Sequence, residues 1–377
     1  MTEHRICTRC VMDTSDSLID FDDLGICDHC RIYDEQISPI WKMGEGRDDE
    51  LATIVDRIKK DGRGKDFDCI LGMSGGIDSS YLLYLVTEKL GLKPLVFHVD
   101  AGWNSQIAVN NIERLVDGLS LDLYTHVIDW QEIKSLQRAY FKSGVPHIDT
   151  PQDHAFFATM YKFAADNKIK NIVTGGNYST ECVRNPKEWM YYQSDSMQLR
   201  DIYKQHGDAP LKTYPITNIL WHKFYLPYFK GIKLHRILDF LPYDKELATQ
   251  FLVDNYGFER YPQKHFESRF TRFYESYWLT EKFGYDTRKV QFSSLILTGQ
   301  MSREEALIKL ERPAYDPKTV HLEFEYIASK LDMSREDLVG CFELPNKTYN
   351  DYANQEQLYE LGTRGLKFLG KELGGKR

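Results

Sequence analysis

The stretch ILGMSGGIDSSYLL, residues 70–83, constrains this chain more than any other. An apolar run of strand length ends in two glycines, an aspartate and two serines. An apolar helical pattern then resumes. A glycine-rich turn between a buried strand and a helix lets backbone N–H groups approach an anion, and the helix N-terminus adds its partial positive charge. Gly75 and Gly76 permit that approach, and Ser74, Ser79 and Ser80 offer hydroxyl donors to phosphate oxygens. Asp78 cannot bind phosphate directly, so its carboxylate implies Mg2+ holding the phosphates. A helix cap rich in Gly and Ser would explain Ser74 or Asp78 alone. It does not explain the whole set behind a buried strand.

The same strand–helix alternation runs on either side. FDCILGM, KPLVFHVD, LDLYTHVID and IKNIVTGG have the length and composition of strands, the third with alternating polarity. Between them, SSYLLYLVTEKLG reads as a buried helix ending at Gly91, and SQIAVNNIERLVDGL as an amphipathic one carrying Ile107, Ile112, Leu115, Val116 and Leu119. DHAFFATMYKFAADNK is a further helix, with Phe156, Phe157, Met160, Tyr161 and Ala164 on its apolar side. Strands alternating with helices predict an α/β fold, a parallel doubly wound sheet covered on both faces. Ligands bind such sheets at the C-terminal strand ends. Here those ends read SGGID, DAGWN, DWQE and GGNYSTE, all polar or glycine-rich.

Ahead of the sheet, Cys7-x2-Cys10 and Cys27-x2-Cys30 are separated by sixteen residues rich in Asp and Ser. Two such pairs predict a closed four-thiolate Zn2+ site, structural rather than catalytic. His4 and His29 lie nearby but are not needed as ligands. Cys69, Cys182 and Cys341 are isolated and read as ordinary thiols, with Cys182 close to a candidate active-site loop.

The expected organisation is a zinc knuckle over 1–35, a helical connector over 36–66, the sheet domain over 67–185 and a mainly helical region over 186–377. In the connector, Leu51, Ile54, Val55 and Ile58 share a helical face, and GRGK is not a Walker A motif. The tail GKELGGKR is expected to be loose. The net charge of −8 disfavours an extended nucleic-acid surface, which needs clustered Lys and Arg. No run of 18 apolar residues predicts a membrane span, and MTEHRICTRC lacks the apolar segment of a signal peptide. A cytoplasmic, reducing location and no membrane insertion are therefore expected. The 24 Tyr, many in stretches such as FYESYWLTEKFGY, are read first as core packing and second as a pocket that stacks on rings.

SGGIDSS after DCILGM resembles the PP-loop of the ATP pyrophosphatases, a superfamily of adenine nucleotide alpha hydrolase-like folds. More narrowly, CTRCVMDTSD with GICDHC, GMSGGIDSSYLL, HVDAGWNS, TGGNYSTE, HFESRFTRFYESYWL and DTRKVQFSSLILTGQMSREEAL resemble the N-acetyl sugar amidotransferases of bacterial lipopolysaccharide (LPS) and O-antigen biosynthesis. The resemblance runs from residue 5 to about residue 310. It implies an enzyme that uses ATP to adenylylate the acetamido oxygen of a nucleotide-linked N-acetyl sugar. Ammonia then displaces AMP to leave an acetamidino group. The products would be AMP and pyrophosphate, and the sugar carrier uridine diphosphate. HVDAGWNS fits the nucleotide-flanking end of the second strand, with Asp100 a metal or ribose ligand. Gly175, Gly176 and Asn177 fit the fourth-strand loop at the same face.

The resemblance further implies that ammonia comes from a separate glutaminase, with a cyclase-like companion. Consistent with that, the chain starts Met-Thr and shows no cysteine nucleophile paired with a His/Glu set. Lys264, Arg269 and Arg272, with Arg288 and Lys289 as a second set, are candidates for phosphate binding. Lys264 and Arg269 are taken as catalytic together with Asp78 and Asp100. The alternative for these basic residues is a solvated helix face, with pairs such as Arg272–Glu275 and Lys264–Glu267 at i,i+3 spacing. Arg184 is a further candidate for an anionic group, and His98, inside a strand, reads as a satisfied core histidine. The competing enzyme reading is a PP-loop tRNA sulfur transferase. It would need a reactive cysteine near the nucleotide. A non-catalytic nucleotide-binding scaffold is a third.

Overall fold

The computed structural model describes residues 4–189 and 191–368, with side chains as far as residue 362. The tail GKELGGKR lies outside the described residues. Five strands form one parallel sheet: β1 (Cys69–Gly72), β2 (Pro94–Asp100), β3 (Leu123–Val127), β4 (Asn171–Val173) and β5 (Lys233–His235). Their order is β3-β2-β1-β4-β5. Ile70 of β1 lies opposite Leu95 of β2 and Ile172 of β4, and all three are buried. A strand buried on both faces must be apolar throughout, which is why β1 and β2 read as continuous runs.

Helices cover both faces, as the doubly wound pattern predicts. On one side Leu71 and Val96 pack with Ile58, Leu82, Ile112 and Leu252. These come from the helices Asp48–Gly62, Ile77–Tyr84, Gln106–Gly118 and Lys245–Tyr256. On the other, Ile70, Phe97 and Ile172 pack with Leu136, Ala155 and Met160 from Trp130–Ser143 and Thr150–Asp166. The chain leaves β1 towards β2 on one side, and β4 joins β1 on the other. The crevice at the C-terminal ends of β1 and β4 is therefore the topological switch point, where ligands bind in open α/β sheets.

Three features differ from the sequence reading. β3 is an edge strand with Leu123, Tyr124 and Val127 exposed, so its alternation does not mark a buried face. A fifth strand, only three residues long, comes from a region expected to be mainly helical, so the sheet reaches past residue 185. Two helices, not one, cross from β3 to β4, broken at Gly144, where φ is 76°.

Beyond the sheet lie the helices Arg269–Phe273, Thr287–Leu297, Arg303–Leu310, Val320–Lys330 and Arg335–Glu343. Phe270, Phe273, Trp278 and Phe324 form a third core with Trp103 and Phe141 of the sheet domain. Most of the second-half aromatics are thus packing, the first of the two readings. Among the described residues no helix is long and apolar enough to cross a membrane.

Candidate active site

The turn after β1 takes the shape its glycines predict. Gly75 has φ 83°, and a Cβ there would sit 2.8 Å from the Ala108 carbonyl oxygen. Helix Ile77–Tyr84 begins immediately after Gly76, with no side chain capping its first turn. Ser74 and Ser79 hydroxyls lie 3.2 Å apart, and Ser74 Oγ accepts from the Gly76 N–H at 3.2 Å. This junction opens into a cavity of about 1440 Å3 lined by Ser74, Gly76, Asp78 and Ser79 on one side and by Gly175 and Gly176 on another. Pockets for single small molecules usually measure ~300–1,000 Å3, so this one has room for two ligands.

Asp78 is held by groups from distant parts of the chain. Tyr243 Oη donates to its Oδ1 at 2.7 Å and Asn177 Nδ2 at 3.3 Å. Lys264 Nζ stands 3.9 Å from Asp78 Oδ2 and 2.6 Å from Glu181 Oε1. Burial opposes the Lys264 charge, but the Glu181 and Asp78 carboxylates outweigh it and keep the ammonium protonated. Burial pushes the Tyr243 phenol well above its ordinary range, and the Asp78 charge adds to the shift, so it stays a donor. Two carboxylates sharing one ammonium are hard oxygen donors at the mouth of a phosphate-type turn. That donor chemistry fits Mg2+ bound with phosphate oxygens. Lys245 faces the same cavity; burial draws its pKa below the ordinary lysine value, against the opposing pull of Asp78.

The opposite wall was not legible in the sequence. His265 Nδ1 bonds Glu275 Oε1 at 2.8 Å. Burial disfavours the imidazolium, but the field and hydrogen bond of Glu275 prevail and raise its pKa to about 9. His265 has φ 65°, a left-handed conformation that a non-glycine residue adopts only where its surroundings impose it. Asp149 accepts from Thr271 Oγ1 at 2.7 Å, and burial together with the nearby Asp153 charge raises its pKa to about 7. Asp153 accepts from the Tyr191 hydroxyl. Glu267 reaches back across the cavity, its Oε1 2.8 Å from where a Cβ on Gly76 would lie.

Several sequence candidates lie elsewhere. Ser80 is fully buried, is not on the cavity wall, and its hydroxyl has no hydrogen-bond partner. The helix turns about 100° per residue, and Ser80 falls on its core side. Asp100 turns back to accept from the Gly102 N–H at 2.7 Å. Asn177 is fully buried and does not line the cavity; it braces the wall from behind, donating to Asp78 and to the Gly175 carbonyl and accepting from the Thr180 N–H. Arg269 and Arg272 both pair with Glu323, at 3.1 and 2.7 Å, and Arg269 stacks on Tyr326. The expected pairs Arg272–Glu275 and Lys264–Glu267 do not form among the described residues. Arg288 reaches the cavity wall, but its guanidinium is held by Asp286 and by the carbonyls of Lys309 and Arg312. Arg184 is exposed. His98 is satisfied as expected, with Nδ1 on the Met73 carbonyl at 2.8 Å and Nε2 beside Asn104 at 2.9 Å. The third-strand end, DWQE, caps a helix through Asp129 and does not line the cavity.

The four early cysteines converge. The Sγ atoms of Cys10 and Cys27 are 3.6 Å apart, those of Cys27 and Cys30 3.6 Å, and those of Cys7 and Cys30 3.8 Å. A tetrahedron with Zn–S bonds of ~2.3 Å has edges of about 3.8 Å, so the cluster fits one zinc ion. Cys7 Sγ also accepts from the Cys27 N–H at 3.2 Å. His29 bonds Asp16 and His4 bonds Asp13, so neither completes the cluster. The knuckle is docked on the far end of the chain. Arg303 donates to the carbonyls of Cys7 and Cys10, Lys289 pairs with Asp13 at 2.6 Å, and the Val11 N–H bonds Ser293. Cys182 lies in this apolar contact; burial pushes its thiol to about 12, and Sγ faces the Ser294 carbonyl.

The family model of the LPS biosynthesis protein WbpG-like C-terminal domain matches residues 267–365. A protein of Methanocaldococcus jannaschii, described as uncharacterised, is 24% identical over 327 residues, which is 84% of this chain and 96% of that protein. Among solved structures, an NH3-dependent NAD synthetase from Campylobacter jejuni is similar at 13% identity with a TM-score of 0.30. It covers 79% of this chain and 98% of its own. So loose a superposition carries no argument.

Proposed function

We propose that this chain, a PP-loop sheet joined to a WbpG-like LPS biosynthesis C-terminal domain, is an ATP-dependent, AMP-forming sugar amidotransferase. Its substrate is a nucleotide-linked N-acetyl sugar, with uridine diphosphate as the carrier, and its product carries an acetamidino group. One observation carries the reading. The phosphate-type turn and residues of the LPS-related domain, Glu267, Thr271 and Glu275 among them, line a single cavity large enough for two ligands.

In this reading the N–H groups at Gly76 and the helix start take the ATP phosphates. Asp78 and Glu181 would hold Mg2+, which would supply neutralisation of phosphate charge at the leaving pyrophosphate. Lys264 and Lys245 supply fixed positive charge beside it. The acetamido oxygen bonds the α-phosphorus as the bond to pyrophosphate breaks. An amide is a poor electrophile; the O-adenylate is a good one. Ammonia then adds to the amide carbon, the C–O bond breaks, AMP leaves, and a proton is lost to form the amidine. Asp149, its pKa raised to about 7, lines the wall and would receive such a proton, while His265, held protonated by Glu275, adds positive charge beside the leaving phosphate. Ammonia arrives from a separate glutaminase subunit. The inert setting of Cys182 weighs against sulfur transfer, which needs a reactive thiol.

The test is AMP release by purified protein with ATP, Mg2+, high ammonium and a panel of nucleotide-linked N-acetyl sugars. The reading requires AMP that depends on both sugar and ammonium, and a product in which NH replaces O. AMP formation that depends on tRNA and a sulfur donor instead would overturn it.

A further inference from the structure

Residues 209–238 contain no Asp or Glu, although the chain holds 56. They carry Lys212, Lys223, Lys230, Lys233 and Arg236 in a protein of net charge −8. At the centre of this stretch the helical segment Trp221–Lys230 lies on the surface. It is fixed from beneath: Leu226 is buried, His222 bonds Thr217 at 2.7 Å, and the His222 ring meets Tyr161. The other face is apolar and uncovered. Phe224 is 62% exposed, Tyr228 67% and Phe229 78%; Phe224 and Tyr228 lie one turn apart with their rings in contact, and Phe229 stacks on the exposed Tyr225 beside them. Leu220, ahead of the segment, and Leu234 on β5, the edge strand, extend the patch. Lys223, Lys230 and Lys233 are exposed around it and form no ion pair among the described residues.

We propose that this face is a docking site for an anionic phospholipid surface. Large aromatic side chains beside lysines, with acidic residues excluded, are the composition of helices lying in a membrane interface. There the rings sit at headgroup depth and the ammonium groups reach the phosphates. The charge argues against the other occupants. Two copies of the patch facing each other would oppose like charges, and protein interfaces are depleted in lysine. An anionic membrane repels the rest of an acidic chain, so attachment through this face alone fixes the protein's orientation. A short segment with three lysines gives reversible attachment, sensitive to salt and to lipid charge. The proposal does not depend on the reaction assigned to the cavity.

Co-sedimentation of the full chain with phosphatidylcholine vesicles, with and without phosphatidylglycerol, tests it. Phosphatidylglycerol is expected to raise the bound fraction about tenfold or more, and high salt to reverse the gain. Two variants divide the contributions. F224S with F229S removes the aromatic anchor and abolishes binding. K223E with K230E keeps the rings and abolishes the preference for anionic lipid. All four positions are exposed, so thermal melts should match the wild type. The idea is overturned if the wild type ignores anionic vesicles, or if it binds them unchanged in both variants. It is equally overturned if F224S with F229S instead dissolves a dimer seen by light scattering without lipid.

Discussion

The Tyr243 hydroxyl donates to Asp78 Oδ1 at 2.7 Å across 165 residues of sequence. It ties the entry to the helix Lys245–Tyr256 to the first turn after the phosphate-type loop, and it fixes the carboxylate that faces Lys264. Asp78→Asn should lower AMP formation by about 100–1000-fold, because fixed charge at a phosphate site dominates such reactions. Tyr243→Phe leaves the charge and removes one bond to it, which predicts a loss of about tenfold. Both variants should melt near the wild-type temperature. Equal losses would mean that Tyr243 does more than orient Asp78.

Glu267 occupies the approach to Gly76 with a carboxylate, the same sign of charge as a phosphate. Under the proposed function, a nucleotide would have to displace it or approach it. Glu267→Gln keeps the shape and removes the charge. Pyrophosphate should bind this variant about tenfold more tightly, a change of ~1.4 kcal/mol. Titration calorimetry with Mg2+ pyrophosphate reads this directly. Unchanged affinity would show that Glu267 swings clear at no cost.

The two local patterns in the sequence, the strand–Gly-Gly–helix junction and the paired cysteines, both describe what the chain builds. Each is complete within a few residues or within one loop, so spacing alone carries it. The same argument overreached at Ser80, because membership in a string of letters does not say which way a helix turns a side chain. It also failed at Arg272, where Glu323, about fifty residues on, takes the charge that local spacing assigned to Glu275. The opposite wall of the cavity shows the limit most plainly. Asp149 meets Thr271, 122 residues away, and His265 meets Glu275 from a left-handed backbone position. Nothing in PHIDTPQDH or QKHFE advertises either contact. The strand β5 is too short, at three residues, to leave a periodic trace.

The knuckle predicts one zinc per chain by metal analysis. Cys10→Ser should release it and lower the melting temperature, because metal-binding free energy is folding free energy at such sites. Arg303→Ala leaves the thiolates intact but frees the carbonyls of Cys7 and Cys10. It should cost about 1–3 kcal/mol with zinc content unchanged. Loss of zinc in the arginine variant would contradict a purely docking role for that side chain.

The His265–Glu275 pair gives stability a pH dependence of known sign. The imidazole pKa is raised from its ordinary ~6.5 to about 9 in the folded chain. Its contribution is therefore complete below about pH 6.5 and is lost as pH rises through 9. Glu275→Gln removes the field that sustains the imidazolium, so its urea midpoint should change less than the wild type's between those limits. Parallel wild-type and variant curves over that range would show that the pair is not coupled in solution.

The docking of the four-cysteine segment on Lys289, Ser293 and Arg303 also sets a clock. Cys7 and Arg303 stand 296 residues apart, and at ~5–20 residues per second a ribosome needs ~15–60 s to make that interval. For most of it the four cysteines are already made while Lys289, Ser293 and Arg303 are not. A zinc ion on the four thiolates would hold the four-cysteine segment in shape until its partner is made. Scarcity of zinc during translation would then be felt not at the cysteines but at the far end of the chain, as helices that emerge to find no surface waiting.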